Sequence, residues 1–76
     1  MNKARREKLM EIMKELADLV SRIESIQEEE QDYLDAMPDS FRDGDKGQKA
    51  EATIEAMSSA IESIEAAGSE LNEAVN

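Results

Sequence analysis

Large apolar residues in the first half of the chain recur at alternating intervals of three and four residues. The members of this series are Leu9, Ile12, Leu16, Leu19, Ile23 and Ile26. Such spacing is the heptad pattern of a helix that packs one face against another helix, with these residues at positions a and d. The pattern predicts a helix over about residues 2–36. The helix ends before Pro38, because the residue that precedes a proline is disfavoured in the helical conformation.

A second heptad series fills the last part of the chain, where the residues are smaller. Its members are Ala50, Ile54, Met57, Ile61, Ile64, Gly68, Leu71 and Val75. Pro, Gly and Asp concentrate between the two series, which predicts a loop over about residues 37–47 and a second helix over about 48–75. Asp45 and Gln48 have the spacing of a capping box, which favours a slightly earlier start near Lys46 or Gly47. Phe41 is predicted to seal the end of the core.

The two series match when the chain folds back on itself. An antiparallel pairing brings Leu9 to Val75, Ile12 to Leu71, Leu16 to Gly68, Ile23 to Ile61 and Ile26 to Met57 without any shift of frame. Agreement between two separate patterns is strong support for a helical hairpin. The predicted fold class is therefore all-α, a two-helix antiparallel hairpin that forms a single domain over residues 1–76.

An isolated hairpin is expected to leave part of its apolar surface uncovered. The uncovered residues lie beside the predicted contact face and are predicted to form an oligomer interface: Met13, Val20, Leu34, Ala60 and Ala67. Two hairpins that cover each other in this way make a four-helix bundle, and small chains often gain stability by oligomerisation. We therefore predict a homodimer. The alternative is a monomer whose strip is covered by a different protein.

Glu30 is the one acidic residue that falls on the apolar series, at position a and opposite Ile54. Burial of an unpaired carboxylate is costly. We expect Glu30 to reach water beside Arg42, Lys46 or Lys49, since it lies near the open end of the hairpin. A deliberate polar layer inside the helix pair is the other interpretation.

Charge restricts the possible partners. Nine basic and nineteen acidic residues give a net charge of −10, which repels nucleic acid and anionic lipid and favours a protein partner with a basic surface. No direct binding to nucleic acid and no membrane association are expected. The basic residues of positions 1–8 are predicted to lie at the C-terminal end of the second helix, where they offset its dipole.

The sequence contains no signature of catalysis. The chain has neither Cys nor His, so the serines have no histidine to activate them and no Cys/His metal site is expected. We predict a non-enzymatic protein with no cofactor, no metal and no catalytic residue. No apolar segment follows the basic start, so no secretion signal is expected and the predicted location is the cytoplasm.

The densest acidic segment is the strongest candidate for a binding site. Its residues are Glu28, Glu29, Glu30, Asp32 and Asp35. Carboxylates one helical turn apart lie ~6 Å from one another, close to the ~7 Å spacing of phosphates along a nucleic-acid strand. A rigid acidic helix can therefore compete with nucleic acid for a basic channel. The simpler interpretation is a charged surface that keeps a small bundle in solution.

Two segments of the chain resemble a known group of proteins. "EEEQDYLDAMPDSF" and "KAEATIEAMSSAIESIEAA" are similar to small acidic helical-hairpin proteins encoded by phages and mobile elements of Gram-positive bacteria. The matching residues are Glu29, Glu30, Tyr33, Met37, Pro38, Ala50, Glu51, Ala52, Ile54, Ala56, Met57, Ile61 and Ile64. Ala36 departs from the pattern, which has Asn there, and so does the Asp-rich loop. The resemblance implies a phage-related accessory protein inside an infected bacterial host.

The patterns and the resemblance together lead to three hypotheses about function. The first is an anti-defence protein, anti-CRISPR-like in kind, that blocks a host nucleic-acid-handling system through its acidic surface. The second is a structural or adaptor protein that docks a partner helix through the apolar strip of Met13, Val20, Ala60 and Ala67. The third is a sponge that binds a small ligand between protomers.

Overall fold

The computed structural model describes residues 1–76, and its two long helices form the predicted hairpin. Helix α1 spans Lys3–Asp35, the short helix α2 spans Asp39–Arg42, and helix α3 spans Asp45–Val75. Helices α1 and α3 pack against each other along a rod that measures 58 × 15 × 12 Å. They are antiparallel, because Arg6 near the start of α1 contacts Val75 while Gln27 contacts Ile54.

The ends of α1 follow from its sequence. Asn2 is the N-cap, and its side-chain oxygen accepts a hydrogen bond from the Arg5 backbone N–H at 2.8 Å. At the other end, Met37 and Pro38 stop the helix as predicted, and the Ala36 N–H donates to the Asp32 carbonyl at 3.0 Å.

The connection between the long helices is more ordered than the predicted loop. Residues Asp39–Arg42 form α2, which begins directly after Pro38. Helix α3 already begins at Asp45, and its N-cap is Gly44, which offers no side-chain hydrogen bond. The predicted capping box of Asp45 and Gln48 is therefore wrong, because Asp45 is itself helical and the Gln48 N–H donates to the Gly44 carbonyl.

Phe41 does not seal the core. Its side chain is 53% exposed, and the Lys46 Nζ lies 5.7 Å from the centre of its ring. Leu34, Met37 and Ala50 close this end of the hairpin instead, with Ile54 packed against them. The prediction for Leu34 is also wrong, because it is 7% exposed within a single hairpin rather than left uncovered.

The face of α1 that meets α3 is rotated from the predicted one. The covered positions of α1 are a and e, not a and d, and they are Leu9, Met13, Leu16, Val20, Ile23, Gln27, Glu30 and Leu34. The predicted d residues Ile12, Leu19 and Ile26 are instead 42%, 40% and 54% exposed. The predicted positions of α3 are all buried or half-buried, so only the rotation of α1 differs.

The hairpin has a thin core. Only five of 76 residues are buried, and no large side chain is fully enclosed. A core this small rarely stabilises a chain alone.

Candidate functional site

Three of the predicted acidic residues share the outer side of α1. Glu28, Asp32 and Asp35 follow one another at intervals of four and three residues, and all three are exposed. This spacing places them on one face of the helix, turned away from α3. We call these three residues the outer acidic face.

The other two predicted residues point elsewhere. Glu29 is also exposed, but it lies on a different side of the helix, beside Ile26 and Tyr33. Glu30 is half-buried on the side that meets α3. The predicted cluster of five carboxylates is therefore divided among three directions, and a partner that docks on the outer acidic face does not reach Glu30.

The carboxylates have little compensation within the molecule. The single ion pair of the structure joins Arg42 Nη1 to Asp39 Oδ1 at 3.9 Å. Asp35 accepts a hydrogen bond from Gln31 Nε2 at 2.9 Å, which orients the carboxylate without neutralising it. Glu30 forms no ion pair with Arg42, Lys46 or Lys49. The residues of the outer acidic face thus have no ion-pair partner within the molecule.

Arg42 also stabilises the C-terminal end of α1, a role that the sequence did not reveal. Its Nη2 donates to the Asp35 carbonyl at 2.9 Å and lies 3.5 Å from the Met37 carbonyl. Helix α1 has no basic residue in its last turn, so Arg42 of α2 supplies the positive charge that its C-terminus favours.

Arg6 stabilises the C-terminal end of α3 in the same way, at the opposite end of the rod. Its Nε donates to the Val75 carbonyl, the last residue of α3, at 3.0 Å. The prediction that the basic N-terminal segment lies at this helix end is confirmed. Each long helix is therefore capped by an arginine from another part of the chain.

Gln27 forms a polar contact inside the hairpin that sequence reasoning missed. Its Nε2 donates to the Ile54 carbonyl at 3.1 Å and to the Ser58 Oγ at 2.6 Å. With the half-buried Glu30 one turn away, Gln27 makes a polar layer in the otherwise apolar contact face. The only sequence signal was a glutamine at position e between Val20 and Leu34.

The two flanks of the hairpin differ. One flank has an open groove of about 540 Å³ between α1 and α3. Met13, Ala17, Val20, Ile64 and Gly68 are its small and apolar lining residues. Glu65, Ser69 and Asn72 form its polar edge on α3.

The opposite flank carries an exposed apolar stripe. Ile12, Leu19, Ile26 and Tyr33 recur every seven residues along α1, and each is 40% exposed or more. Ala60 and Ala67 of α3 lie at the same flank, because they fall on the side of Ile64 opposite to the groove. The five predicted interface residues are thus separated: Met13 and Val20 line the groove, Leu34 is in the core, and the alanines lie beside the stripe.

No helix has the length and apolar character that a membrane span requires. No cluster of three or more acidic, Cys or His side chains has the arrangement of a metal site. No protein-family model matches the chain, and no curated protein or solved structure is significantly similar to it.

Proposed function

We propose that the protein is a non-enzymatic binding protein that acts through the outer acidic face of α1. The observation that supports this proposal is the lack of compensation at Glu28, Asp32 and Asp35, which are exposed and form no ion pair. One long helix holds them in fixed order, so a partner meets a preformed row of carboxylates. Rigid presentation lowers the entropy cost of binding.

The partner that fits this surface is a protein with a basic groove. Arg and Lys side chains that normally contact nucleic-acid phosphates recognise carboxylates by the same charge-assisted hydrogen bonds. Bound there, the acidic helix excludes the nucleic acid. Together with the resemblance to phage-encoded acidic hairpins, this leads to the proposed role: inhibition of a host nucleic-acid-handling defence system, in the cytoplasm of an infected bacterium.

A capture experiment with matched variants tests the proposal. The tagged protein is incubated with lysate of a Gram-positive host at low and high salt, and retained proteins are identified by mass spectrometry. Charge reversal of Glu28, Asp32 and Asp35 to Lys should abolish retention of a nucleic-acid-binding protein. The control reverses Glu51, Glu55 and Glu62 on α3, which changes the net charge equally. Equal loss in both variants, or retention that high salt does not weaken, would contradict the outer acidic face as the site.

The groove supports a second candidate function. Met13 and Val20 line it together with Gly68, where a Cβ atom would meet nothing within 4 Å. An adaptor that docks a partner helix, or a sponge that holds a small apolar ligand, would use this space. Val20→Glu should then abolish capture of a partner that high salt does not release. A ligand in protein-free host extract should raise the melting temperature of the unmodified chain but not of this variant.

Assembly into a homodimer is part of the proposal. The thin core and the exposed stripe both support it, since a second copy would remove large apolar side chains from water. Two hairpins joined in this way form a four-helix bundle.

A further inference from the structure

We infer that the exposed apolar stripe of α1 binds the same stripe of a second copy, antiparallel, with the two-fold axis beside Leu19. This inference deepens the homodimer proposed above and rests on it. It replaces the predicted interface of Met13, Val20 and Leu34, which face the groove or the core.

The stripe is self-complementary when its direction is reversed. Position d of α1 reads Arg5, Ile12, Leu19, Ile26 and Tyr33. With Leu19 at the axis, Leu19 meets its own copy and Ile12 meets Ile26 in both halves. Arg5 then meets Tyr33, a pairing of a guanidinium with an aromatic ring that is favourable in itself. A two-fold interface requires this kind of symmetry, in which each residue and its partner exchange places.

The charges beside the stripe select this register. Position g, which borders the stripe on its solvent side, reads Lys8, Glu15, Arg22 and Glu29. About the axis at Leu19, Lys8 meets Glu29 and Glu15 meets Arg22, so opposite charges face each other four times in the dimer. A shift by one heptad places Glu15 against Glu29 or against its own copy, and a parallel arrangement places every charge against itself. Each alternative therefore sets like charges together.

The length of α1 agrees with the same axis. Leu19 is the middle residue of Lys3–Asp35, so the two copies of α1 overlap over their whole length. A helix of this length is about 50 Å long, and a strip about 10 Å wide on each protomer buries on the order of 1,000 Å² in total. That area is sufficient for a specific interface. Ala60 and Ala67 border the stripe, and their small side chains let the two copies of α3 approach each other.

The register leaves the other surfaces free. The groove lies on the opposite flank, and the outer acidic face points away from both α3 and the stripe. Glu29, the other exposed residue of the predicted acidic cluster, is not free in this dimer, because it pairs with Lys8 of the second copy. The dimer therefore presents two outer acidic faces, which are related by the two-fold axis.

An exchange of the charges of Glu15 and Arg22 tests the register of the proposed dimer. Wild-type chains of 8.5 kDa should sediment at twice that mass. Glu15→Arg or Arg22→Glu alone sets two pairs of like charges together and should weaken the dimer at least ten-fold, whereas the double variant should restore it. Glu28→Arg and Lys14→Glu make the same changes in net charge on the outer side of α1 and should have little effect. Circular dichroism verifies that each variant is still helical.

Disulfide trapping gives a second, independent measurement, since the chain has no other cysteine. With oxidised glutathione as oxidant, Leu19→Cys should form a covalent dimer, because the two thiols meet at the axis, whereas Lys14→Cys should not. A dimeric mass without trapping at position 19, or without rescue in the double variant, would overturn the register and leave the homodimer intact. A monomeric mass at all concentrations would overturn both. Neither result affects the acidic-face proposal, which the capture experiment tests.

Discussion

At the scale of single residues, two glycines of α3 have opposite surroundings. A Cβ atom on Gly47 would overlap the Arg42 backbone carbonyl, so only glycine lets the backbone of α2 approach α3 this closely. Gly68 is half-buried at the groove, and a Cβ atom there would meet nothing within 4 Å. The same substitution is therefore expected to have opposite effects at the two positions.

Replacement of each glycine by alanine measures this difference. Gly47→Ala should destabilise the hairpin by about 2 kcal/mol, because α2 must move away from α3. Gly68→Ala should stabilise it by up to about 1 kcal/mol, since alanine favours the helix and fits the open groove. Thermal unfolding followed by circular dichroism should show a lower melting temperature for the first and a higher one for the second. A rise for Gly47→Ala would show that α2 is not held against α3.

Arg42 illustrates how a residue outside a helix determines its end. Arg42→Ala removes the hydrogen bond to the Asp35 carbonyl and the positive charge at the C-terminus of α1, and should cost about 1–2 kcal/mol. Lys49→Ala is the control, because it removes an equal charge from an exposed position of the same region that makes no hydrogen bond to α1. Urea unfolding compares the two variants. Equal losses would mean that charge alone, and not the bond to α1, is responsible.

At the scale of helices, the sequence predicts the length, direction and register of the hairpin but not the rotation of α1. Three mostly apolar columns run along α1, at positions a, d and e, and one partner helix covers only two of them. The heptad pattern cannot choose between Ile12 and Met13 or between Leu19 and Val20, because both columns are apolar. In the structure the e column faces α3, and the difference is clearest at the α2 end, where Leu34 at e is buried and Tyr33 at d is exposed.

The same ambiguity explains which parts of the candidate site could be predicted. Exposure of Glu28, Asp32 and Asp35 follows from helical periodicity and needs no partner helix. The position of Glu30 depends on tertiary packing, and so do the backbone contacts of Arg42 and Gln27. Those contacts join residues whose sequence spacing has no characteristic pattern.

A pair of leucine variants separates the two faces of α1. Leu16 is half-buried against α3, so Leu16→Ala should cost about 1–2 kcal/mol at every protein concentration. Leu19 is 40% exposed in a single hairpin, so Leu19→Ala should lose stability mainly at concentrations where the wild type is dimeric. Melting temperatures measured across a hundred-fold dilution series distinguish the two. A concentration-independent loss for Leu19→Ala would place Leu19 in the hairpin contact instead.

At the scale of the whole molecule, charge opposes the fold. A net charge of −10 is spread along a rod 58 Å long, and one weak ion pair offsets it. Salt should therefore stabilise the protein, since the Debye length falls from about 30 Å at 0.01 M to about 3 Å at 1 M. The melting temperature should rise over this range of NaCl. Sodium sulfate at equal ionic strength separates screening from stronger apolar burial, and a falling melting temperature in NaCl would contradict net self-repulsion.

The contact between Arg6 and Val75 determines how the hairpin responds to a pulling force. Because it places both ends of the chain at one end of the rod, a force that pulls the termini apart loads the helix contacts one layer at a time. Helices α1 and α3 therefore separate progressively, beginning at Arg6 and ending at the cluster of Leu34, Met37 and Ala50. Pulled instead between α2 and either terminus, the chain transmits the force along one long helix alone, and the backbone hydrogen bonds of that helix resist extension. The two directions of force therefore load different interactions, the packing between the helices in the first and the backbone of a single helix in the second.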